Sequence, residues 1–241
     1  MQNPNGPYPG RQVFLGMTAG RKPAFAYLVT GRSPQSRERK ATPRDNSIIM
    51  GPIGNEPYDW LRHYTAIKYD NQTGLAVITN GIQTEAIYET YKLIFHTDSP
   101  PVPDYLKMIL NGARSEPDSL YTPRPAGLIT NPAGKTDPVY FIGIKTHGRP
   151  ASVWELNPEP GTLIGVSTYH GDLENPGSFD IGSELPKVKF NAETPEELAD
   201  FIYSMSAASY KGDDIRVCAI GGIRSEDNLT WKAAIINRHK D

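Results

Sequence analysis

Short apolar runs that favour β-strands come in consecutive groups, and helices interrupt them only rarely. The runs cover residues 12–16, 24–30, 48–50, 63–69, 75–79, 139–145, 151–156, 163–169, 216–223 and 231–236. Apolar residues at helical spacing indicate helices at 82–95 and 103–111, and a capping box from Thr194 to Glu197 starts a third. Parallel sheets need a crossover, usually a helix, between successive strands. The order of the predicted elements contains few places where a single helix connects two strands. We therefore predict an α+β fold of antiparallel sheets covered by helices.

Length and composition favour one domain. A chain of 241 residues with 38% hydrophobic content can bury a sizeable core as one large domain or two small ones. We expect a single domain spanning residues 1–241. Residues 171–190 are polar and have no evident period, and we interpret them as an ordered surface loop or lid.

Charge and cysteine content exclude several classes of protein. A net charge of −2 argues against binding nucleic acid through the overall field of the protein. The single cysteine, Cys218, excludes an internal disulfide framework and a thiolate zinc site, fits a reducing compartment, and is expected to be a buried apolar residue. No apolar run approaches the roughly 20 residues of a membrane span. We expect a cytoplasmic protein with no membrane partner, no nucleic-acid partner and no metal, because the five histidines are scattered.

A basic stretch follows the second apolar run. Arg32, Arg37, Arg39, Lys40 and Arg44 come just after a strand that we expect to be buried. Loops held by a rigid strand often carry binding residues, and guanidinium groups match phosphate oxygens. The alternatives are an ordinary solvated loop or an RNA-binding loop, although stacking aromatic residues are missing from 31–57. If the stretch is functional, its partner is small and anionic.

A proline-rich stretch at residues 116–127 contains Glu116, Thr122 and Arg124. Prolines restrict the backbone and lower the entropy lost when a loop is held in one shape. Such a loop can aim a carboxylate and a guanidinium group at a ligand. The alternative is a stiff connection from helix to strand.

Tyr64 lies in a strand whose alternation defines two faces. Strict alternation places His63, Thr65 and Ile67 on one face and Tyr64, Ala66 and Lys68 on the other. A phenol can donate or accept a proton. The alternative is a tyrosine that only packs.

Two further strand ends carry polar residues. The sequence TNG at 79–81 lets Asn80 either cap the next helix or hydrogen-bond a ligand. The sequence STYHGD at 167–172 offers Tyr169, His170 and Asp172, unless it is a plain strand end. The sequence has no phosphate-binding P-loop, no dinucleotide-binding turn and no nucleophile elbow.

The order of these motifs resembles the archaeal-type IMP cyclohydrolase family. AYLVTGRSPQSR at 26–37 is similar to its Y-x-V-[ST]-x-R-S-x-x-x-R segment, and the strand tyrosine, the TNG turn and TPRPAG follow in order. The similarity runs from about residue 13 to 172. It implies a four-layer αββα sandwich of antiparallel sheets, similar to the N-terminal-nucleophile hydrolases. Met1 and Gln2 offer no nucleophile of that kind.

The resemblance also implies a function and a site. The reaction is closure of 5-formamidoimidazole-4-carboxamide ribotide (FAICAR) to inosine monophosphate (IMP), without a cofactor. The implied catalytic residues are Arg37, Tyr64 and Glu116. The implied substrate-binding residues are Arg32, Ser33, Asn80, Gly81, Thr122, Arg124, Tyr169 and Asp172.

The chain departs from the family pattern beside the site. Tyr121 stands where the family has Asn, and Arg114, Ser115 and Pro117 replace the usual acidic neighbours of Glu116. A nucleotide-binding protein without activity and an amide hydrolase with an N-terminal nucleophile are therefore alternatives. The sequence does not decide the oligomeric state, and a homo-oligomer is compatible with it.

Overall fold

The computed structural model describes residues 3–4, 6–55, 57–97, 99–135, 137–179, 182, 184–225 and 229–239. Met1 and Gln2, on which the expectation about an N-terminal nucleophile depends, lie outside these ranges. Residues 180, 181 and 183 of the expected lid also lie outside them.

Strands make up most of the regular structure. In chain order they are β1 (Arg11–Met17), β2 (Pro23–Thr30), β3 (Arg39–Arg44), β4 (Ser47–Pro52), β5 (Tyr64–Tyr69), β6 (Ala76–Thr79), β7 (Arg124–Thr130), β8 (Val139–Lys145), β9 (Ser152–Leu156), β10 (Thr162–Ser167), β11 (Tyr169–His170), β12 (Gly177–Ser178), β13 (Lys187–Lys189), β14 (Ser209–Tyr210), β15 (Asp213–Asp214), β16 (Arg216–Arg224) and β17 (Trp231–Asn237). The helices are α1 (Pro34–Arg37), α2 (Gln83–His96), α3 (Pro103–Ala113) and α4 (Pro195–Met205).

Two large sheets dominate the structure. One has six strands in the order β13-β10-β1-β2-β16-β17, and the other has seven in the order β3-β4-β5-β6-β7-β8-β9. Every strand pair within them is antiparallel. The pairs β11–β12 and β14–β15 form small separate hairpins. The predicted mixed fold of antiparallel sheets with few helices is confirmed.

Apolar side chains from both sheets share one core. Val13 and Phe25 of the six-stranded sheet pack in the same buried cluster as Met50, Ile67 and Ile142 of the seven-stranded sheet. Successive side chains of a strand point to opposite faces, so Phe14, between Val13 and Leu15, belongs to a different cluster. Both faces of β1 are buried, which explains why its residues 13–17 are apolar or glycine rather than alternating with polar residues.

The helices cover the outer faces of the sheets. Leu198 of α4 packs in one cluster with Phe14 of the six-stranded sheet. Tyr91 of α2 and Leu110 of α3 pack with Leu128 of the seven-stranded sheet. Among the described helices, none is long and apolar enough to cross a membrane.

Two strands of the seven-stranded sheet were not predicted from the sequence: β3, in the basic stretch, and β7, which begins inside the proline-rich stretch. Pro125 and Gly127 disfavour a strand by propensity. Pro125 is tolerated because β6 pairs with β7 only as far as Thr79↔Ala126, one residue short of it. Gly127 is required because a Cβ there would lie 2.8 Å from a methyl group of Val13 on the facing sheet.

The predicted alternation in β5 is wrong after Ala66. Ile48 and Ile49 of β4 pair with Ile67 and Thr65, so Ala66 is an extra, bulged residue. Ile67 therefore joins the core that contains Tyr64. Lys68 points instead to helix α2, where its Nζ lies 2.5 Å from Glu85.

The expected lid at 171–190 is partly strand. β12 pairs with β11, and β13 forms the edge of the six-stranded sheet beside β10. The stretch is therefore fastened to the sheet at its C-terminal end.

Two local predictions are confirmed. Thr194 Oγ1 accepts a hydrogen bond from the backbone N–H of Glu197, and the Glu197 carboxylate accepts one from the backbone N–H of Thr194, which completes the capping box. Cys218 is fully buried, with its sulfur 3.7 Å from that of Met50.

Candidate active site

A cleft of about 640 Å³ lies where several chain segments meet. Strand ends supply Arg11 and Arg39, the loop after β2 supplies Arg32 and Ser33, and the segment from 116 to 122 supplies Glu116 and Thr122. Tyr169 of β11 also lines it. The cleft therefore brings together residues that are more than 150 positions apart in the sequence.

Glu116 is the buried carboxylate of this cleft. Its Oε2 lies 3.4 Å from an Arg11 nitrogen, and its Oε1 accepts hydrogen bonds from Arg124 at 3.2 Å and from Asn80 Nδ2 at 3.3 Å. Only 1% of the residue is exposed. Burial raises the pKa of the Glu116 carboxyl, and although Arg11 and Arg124 lower that pKa, it stays above its ordinary value.

The pKa values of Arg11 and Arg124 are shifted in opposite directions. Burial lowers the pKa of Arg124, and the negative charge of Glu116 offsets only part of this effect. Burial also lowers the pKa of Arg11, but Glu116 and nearby phenols, led by Tyr64, outweigh it and hold this pKa well above its usual range. The Nε atoms of both are buried without a hydrogen-bond partner among the described residues. Buried donors of this kind are rare in folded proteins and call for a functional account.

Backbone contacts hold the segment that carries Glu116. The Glu116 N–H donates to the Thr122 carbonyl at 2.8 Å, and the Thr122 N–H donates to Asp118 at 2.7 Å. These bonds close residues 116–122 into a loop that aims the Glu116 carboxylate inward. The rigidity expected from the prolines is thus reinforced by hydrogen bonds.

The turn at Asn80 and Gly81 supports Glu116 and Arg124 from behind. Asn80 Nδ2 also donates to the Pro123 carbonyl at 2.9 Å, and its Oδ1 accepts from Gln83 at 3.1 Å. Asn80 does not cap α2, whose N-cap is Ile82 without a side-chain hydrogen bond. A Cβ at Gly81 would lie 2.0 Å from Arg124 Nη1, so only glycine leaves room for the guanidinium group.

Tyr64 is buried beside this cluster. Its hydroxyl lies 2.8 Å from the hydroxyl of Tyr27 on the facing sheet. Burial is the main cause that raises the pKa of Tyr27 well above its ordinary value, and the neighbouring Tyr64 hydroxyl adds to it, so Tyr27 is a neutral phenol. Tyr64 is near enough to Arg11 and Arg124 to influence both electrostatically.

Thr122 and Tyr169 form a second polar group on the wall of the cleft. Thr122 Oγ1 lies 2.5 Å from both the Asp118 carboxylate and the Tyr169 hydroxyl. The single Thr122 proton goes to the carboxylate, so Tyr169 is the donor to Thr122. Burial raises the pKa of Tyr169 to about 12, although the hydrogen bond with Thr122 lowers it. The Tyr169 ring stacks on Tyr8 at 5.6 Å.

Arg32 and Ser33 lie at the rim of the cleft. Arg32 Nη1 donates to the carbonyls of Leu173 and Glu174, at 2.7 and 2.9 Å, and its guanidinium group lies 5.1 Å from the centre of the Tyr8 ring. Ser33 caps the short helix α1 by accepting from the Ser36 N–H at 3.1 Å. The remaining Arg32 donors leave it able to bind a ligand.

Six of the residues implied by the resemblance do not line the cleft: Arg37, Tyr64, Asn80, Gly81, Arg124 and Asp172. Arg37 donates to the carbonyl of Arg32 and forms an ion pair with Asp213 at 2.6 Å. Asp172 is exposed and accepts a hydrogen bond from the Asn175 N–H at 2.6 Å. Arg124 is held behind Glu116 by their shared hydrogen bond. Some of the motif residues singled out from the sequence therefore line the cleft, and the others lie around it.

Sequence reasoning missed Arg11 and Asp118 as site residues and did not select Arg39 from the basic stretch. Arg11 begins an apolar strand and gives no motif signal. Alternation in β3 buries Arg39 and Ala41 and leaves Arg44 exposed, but this strand was not predicted. Arg39 is 2% exposed, and its Nε has no hydrogen-bond partner among the described residues. Among those residues, no group of three His, Cys, Asp or Glu side chains is arranged to hold a metal ion.

Comparison with known proteins gives consistent matches over most of the chain. A family model described as "IMP cyclohydrolase-like protein" matches residues 8–228. The IMP cyclohydrolase of Methanocella arvoryzae is 27% identical over 227 residues, which cover 92% of this chain and 95% of that protein. The IMP cyclohydrolase of Methanococcus aeolicus is 26% identical over 199 residues, covering 81% of this chain and 87% of that protein.

Proposed function

The chain belongs to the IMP cyclohydrolase-like family, and on this basis we propose that it closes the ring of FAICAR to form IMP, with loss of water, as an enzyme of purine biosynthesis. The observation that carries the proposal is Glu116, a buried carboxylate with a raised pKa, held by Arg11, Arg124 and Asn80 at a cleft of about 640 Å³. Clefts of roughly 300–1,000 Å³ are typical of small-molecule sites. The partner is a nucleotide monophosphate, and the predicted cytoplasmic location is part of the proposal.

The proposal includes the finer fold class. The two sheets with α4 on one side and α2 and α3 on the other fit a four-layer αββα sandwich like that of the N-terminal-nucleophile hydrolases. The site proposed here uses a carboxylate, phenols and guanidinium groups rather than a terminal nucleophile. Acyl transfer to the protein is not needed for the reaction.

Positioning is the first task of the site. The carboxamide nitrogen that attacks and the formyl carbon that is attacked are both weakened by amide resonance, yet they sit on adjacent ring carbons. Holding them in one reactive rotamer can supply several kcal/mol of the barrier, within the ~7–11 kcal/mol available to ideal orientation. Arg32 at the rim is our candidate for the phosphate, because guanidinium groups bind phosphate bidentately. We add Lys211, which also lines the cleft.

Glu116 is the proposed general base. A base works best when its pKa lies near the working pH, and burial moves the pKa of Glu116 in that direction. Its carboxylate takes a proton from the carboxamide nitrogen as the new C–N bond forms. Asn80 and Arg124 keep the carboxylate oriented. We therefore assign Arg124 to orienting Glu116, rather than to the substrate contact that the resemblance implies.

The formyl oxygen gains negative charge as the ring closes. Donors aimed at this charge give the largest electrostatic benefit. Tyr64, which lies behind the cleft lining and interacts electrostatically with Arg11, is the proposed proton donor. Arg11, which lines the cleft beside Glu116, is proposed to face the developing charge in place of Arg37, the arginine that the resemblance implies is catalytic. Two protons must reach this oxygen before it leaves as water. One originates on each of the two nitrogens of the substrate, so the overall reaction balances without a cofactor.

The test is direct conversion of FAICAR by the purified protein, followed through the ultraviolet absorbance of IMP. Glu116→Gln should lower kcat by about 10²–10⁴-fold, the range for loss of a general base. Glu89→Gln, an exposed glutamate on α2, is the matched control and should keep full activity. Binding of IMP without turnover of FAICAR would identify a nucleotide-binding protein instead. If the intact mass of the purified protein showed that its chain begins at Cys, Ser or Thr, an N-terminal-nucleophile hydrolase would be favoured instead.

A further inference from the structure

A second cleft of about 710 Å³ shares the segment that carries Glu116. Glu116 lines both clefts, whereas Arg114, Ser115, Pro117 and Tyr121 line only the second. The Glu116 carboxylate forms an ion pair with Arg11, which lines only the first. Apart from Glu116, the second cleft therefore presents side chains to which no role has been given.

An aromatic pair forms a platform in this second cleft. The rings of Tyr121 and His147 stack with their centres 3.9 Å apart and their planes at 25°. Ser115 Oγ lies 3.3 Å from His147 Nδ1 and helps to fix the imidazole. Tyr121 is 51% exposed, so the pair offers an accessible flat surface. Stacking of a nucleobase on such a surface is worth about 1–3 kcal/mol.

The backbone at Tyr121 is held in an unfavourable conformation. Its φ is 47°, in the left-handed region, where an L-residue other than Gly, Asn or Asp is destabilised by roughly 1–2 kcal/mol. A hydrogen bond from the Tyr121 N–H to the Asp118 carbonyl, at 3.1 Å, maintains it. An asparagine would adopt this φ more easily, so the aromatic ring stands here despite an unfavourable backbone conformation. Persistent strain of this kind is typical of ligand sites.

Positive charge surrounds the platform. Arg114 and Arg149 line the cleft, and neither guanidinium group has a hydrogen-bond or ion-pair partner among the described residues. Lys145 Nζ also lines it and is tied to the carbonyls of Thr146 and Arg149. Two free guanidinium groups beside a flat aromatic surface match a planar ring that carries a phosphate.

We propose that this second cleft is a binding site for a purine ribonucleotide, distinct from the first cleft. The base extends the Tyr121–His147 stack on the exposed face of the Tyr121 ring, and the phosphate binds Arg114 and Arg149. The site does not depend on the chemistry proposed for the first cleft. Its volume suits a ligand of this size.

Calorimetric titration with adenosine monophosphate (AMP) tests this site. Arg114→Gln combined with Arg149→Gln should weaken AMP binding by at least about tenfold, because each guanidinium group contributes a charge-assisted hydrogen bond. The matched control replaces Arg21 and Arg44, two exposed arginines outside both clefts, by Gln and should bind AMP like the wild type. Tyr121→Asn, which suits the local φ and should fold, is expected to lose the stacking contribution.

Nuclear magnetic resonance of the imidazole signals adds a direct readout. AMP should shift the signals of His147, assigned through His147→Gln, and adenosine should do so only at higher concentration. The proposal is overturned if Arg32→Gln weakens AMP binding while the Arg114/Arg149 double variant does not, since AMP would then occupy the first cleft. Unchanged His147 signals at saturating AMP would overturn it as well. Neither result depends on whether FAICAR is converted.

Discussion

Gly81→Ala tests how closely the turn at Asn80 and Gly81 fits the buried guanidinium group of Arg124. The added Cβ would lie 2.0 Å from Arg124 Nη1, far inside van der Waals contact. Arg124 is 1% exposed, so its guanidinium group is enclosed by protein atoms. The substitution therefore forces the guanidinium group away from Glu116 or moves the turn itself.

The expected loss of stability follows from two contributions. Overpacking in a buried site is destabilising by about 1–3 kcal/mol, and loss of the charged hydrogen bond between Arg124 and Glu116 by about 1.5–3 kcal/mol. Alanine also lowers the backbone entropy of the unfolded chain, which stabilises the folded variant by about 0.4–1 kcal/mol. We expect a net loss of about 2–5 kcal/mol, which in a domain of this size lowers Tm by roughly 4–20 °C.

Gly112→Ala supplies the matched control. Gly112 lies in α3, and a Cβ there would meet no atom within 4 Å. Alanine favours a helix over glycine by up to about 1 kcal/mol, so Tm should rise slightly. Both variants are compared with the wild type by thermal unfolding followed by circular dichroism. A Gly81→Ala variant as stable as the wild type would refute the close approach and the support that we assign to this turn.

Three further predictions concern single side chains of the site and the core. Arg124→Gln should raise the pKa of Glu116 further, because it removes a cation that lowers this pKa. The acid limb of the pH profile of kcat/KM should therefore move to higher pH. An acid limb at the same pH as in the wild type would show that Arg124 does not act on the catalytic base. Tyr64→Phe should lower kcat far more than it weakens IMP binding, measured by steady-state kinetics and calorimetry, and equal losses would make Tyr64 a binding residue only. Burial raises the pKa of Cys218 to about 12, so iodoacetamide at pH 8 should leave the native thiol unmodified and alkylate it after unfolding; rapid native alkylation would contradict its burial.

Local sequence patterns predicted most of the sheet and helix positions. Apolar runs identified β1, β2 and β16, and the capping box at Thr194 fixed the start of α4. Such signals depend on near neighbours in the chain, so they can be read without the fold. The same reasoning missed β7, since its Pro125 and Gly127 disfavour a strand. Pairing with β8 and contact with Val13 override that preference.

The site was predictable only in part. Motif order singled out Glu116, Thr122 and Tyr169, which line the same cleft. It also singled out Arg37, whose guanidinium group binds its own loop and Asp213. Arg11, which lies beside Glu116, carried no signal. A cation at the start of a strand looks the same in sequence whether it faces solvent or a carboxylate.

The sequence by itself determined most of the segments that form strands and helices and the motifs that accompany them, because periodicity and capping act over a few residues. Only the tertiary structure decided that Arg11 meets Glu116 across 105 positions, and that a bulge at Ala66 turns Lys68 away from the face of Tyr64. These outcomes depend on strand register and on packing between sheets. Both are settled by long-range contacts that no local pattern records.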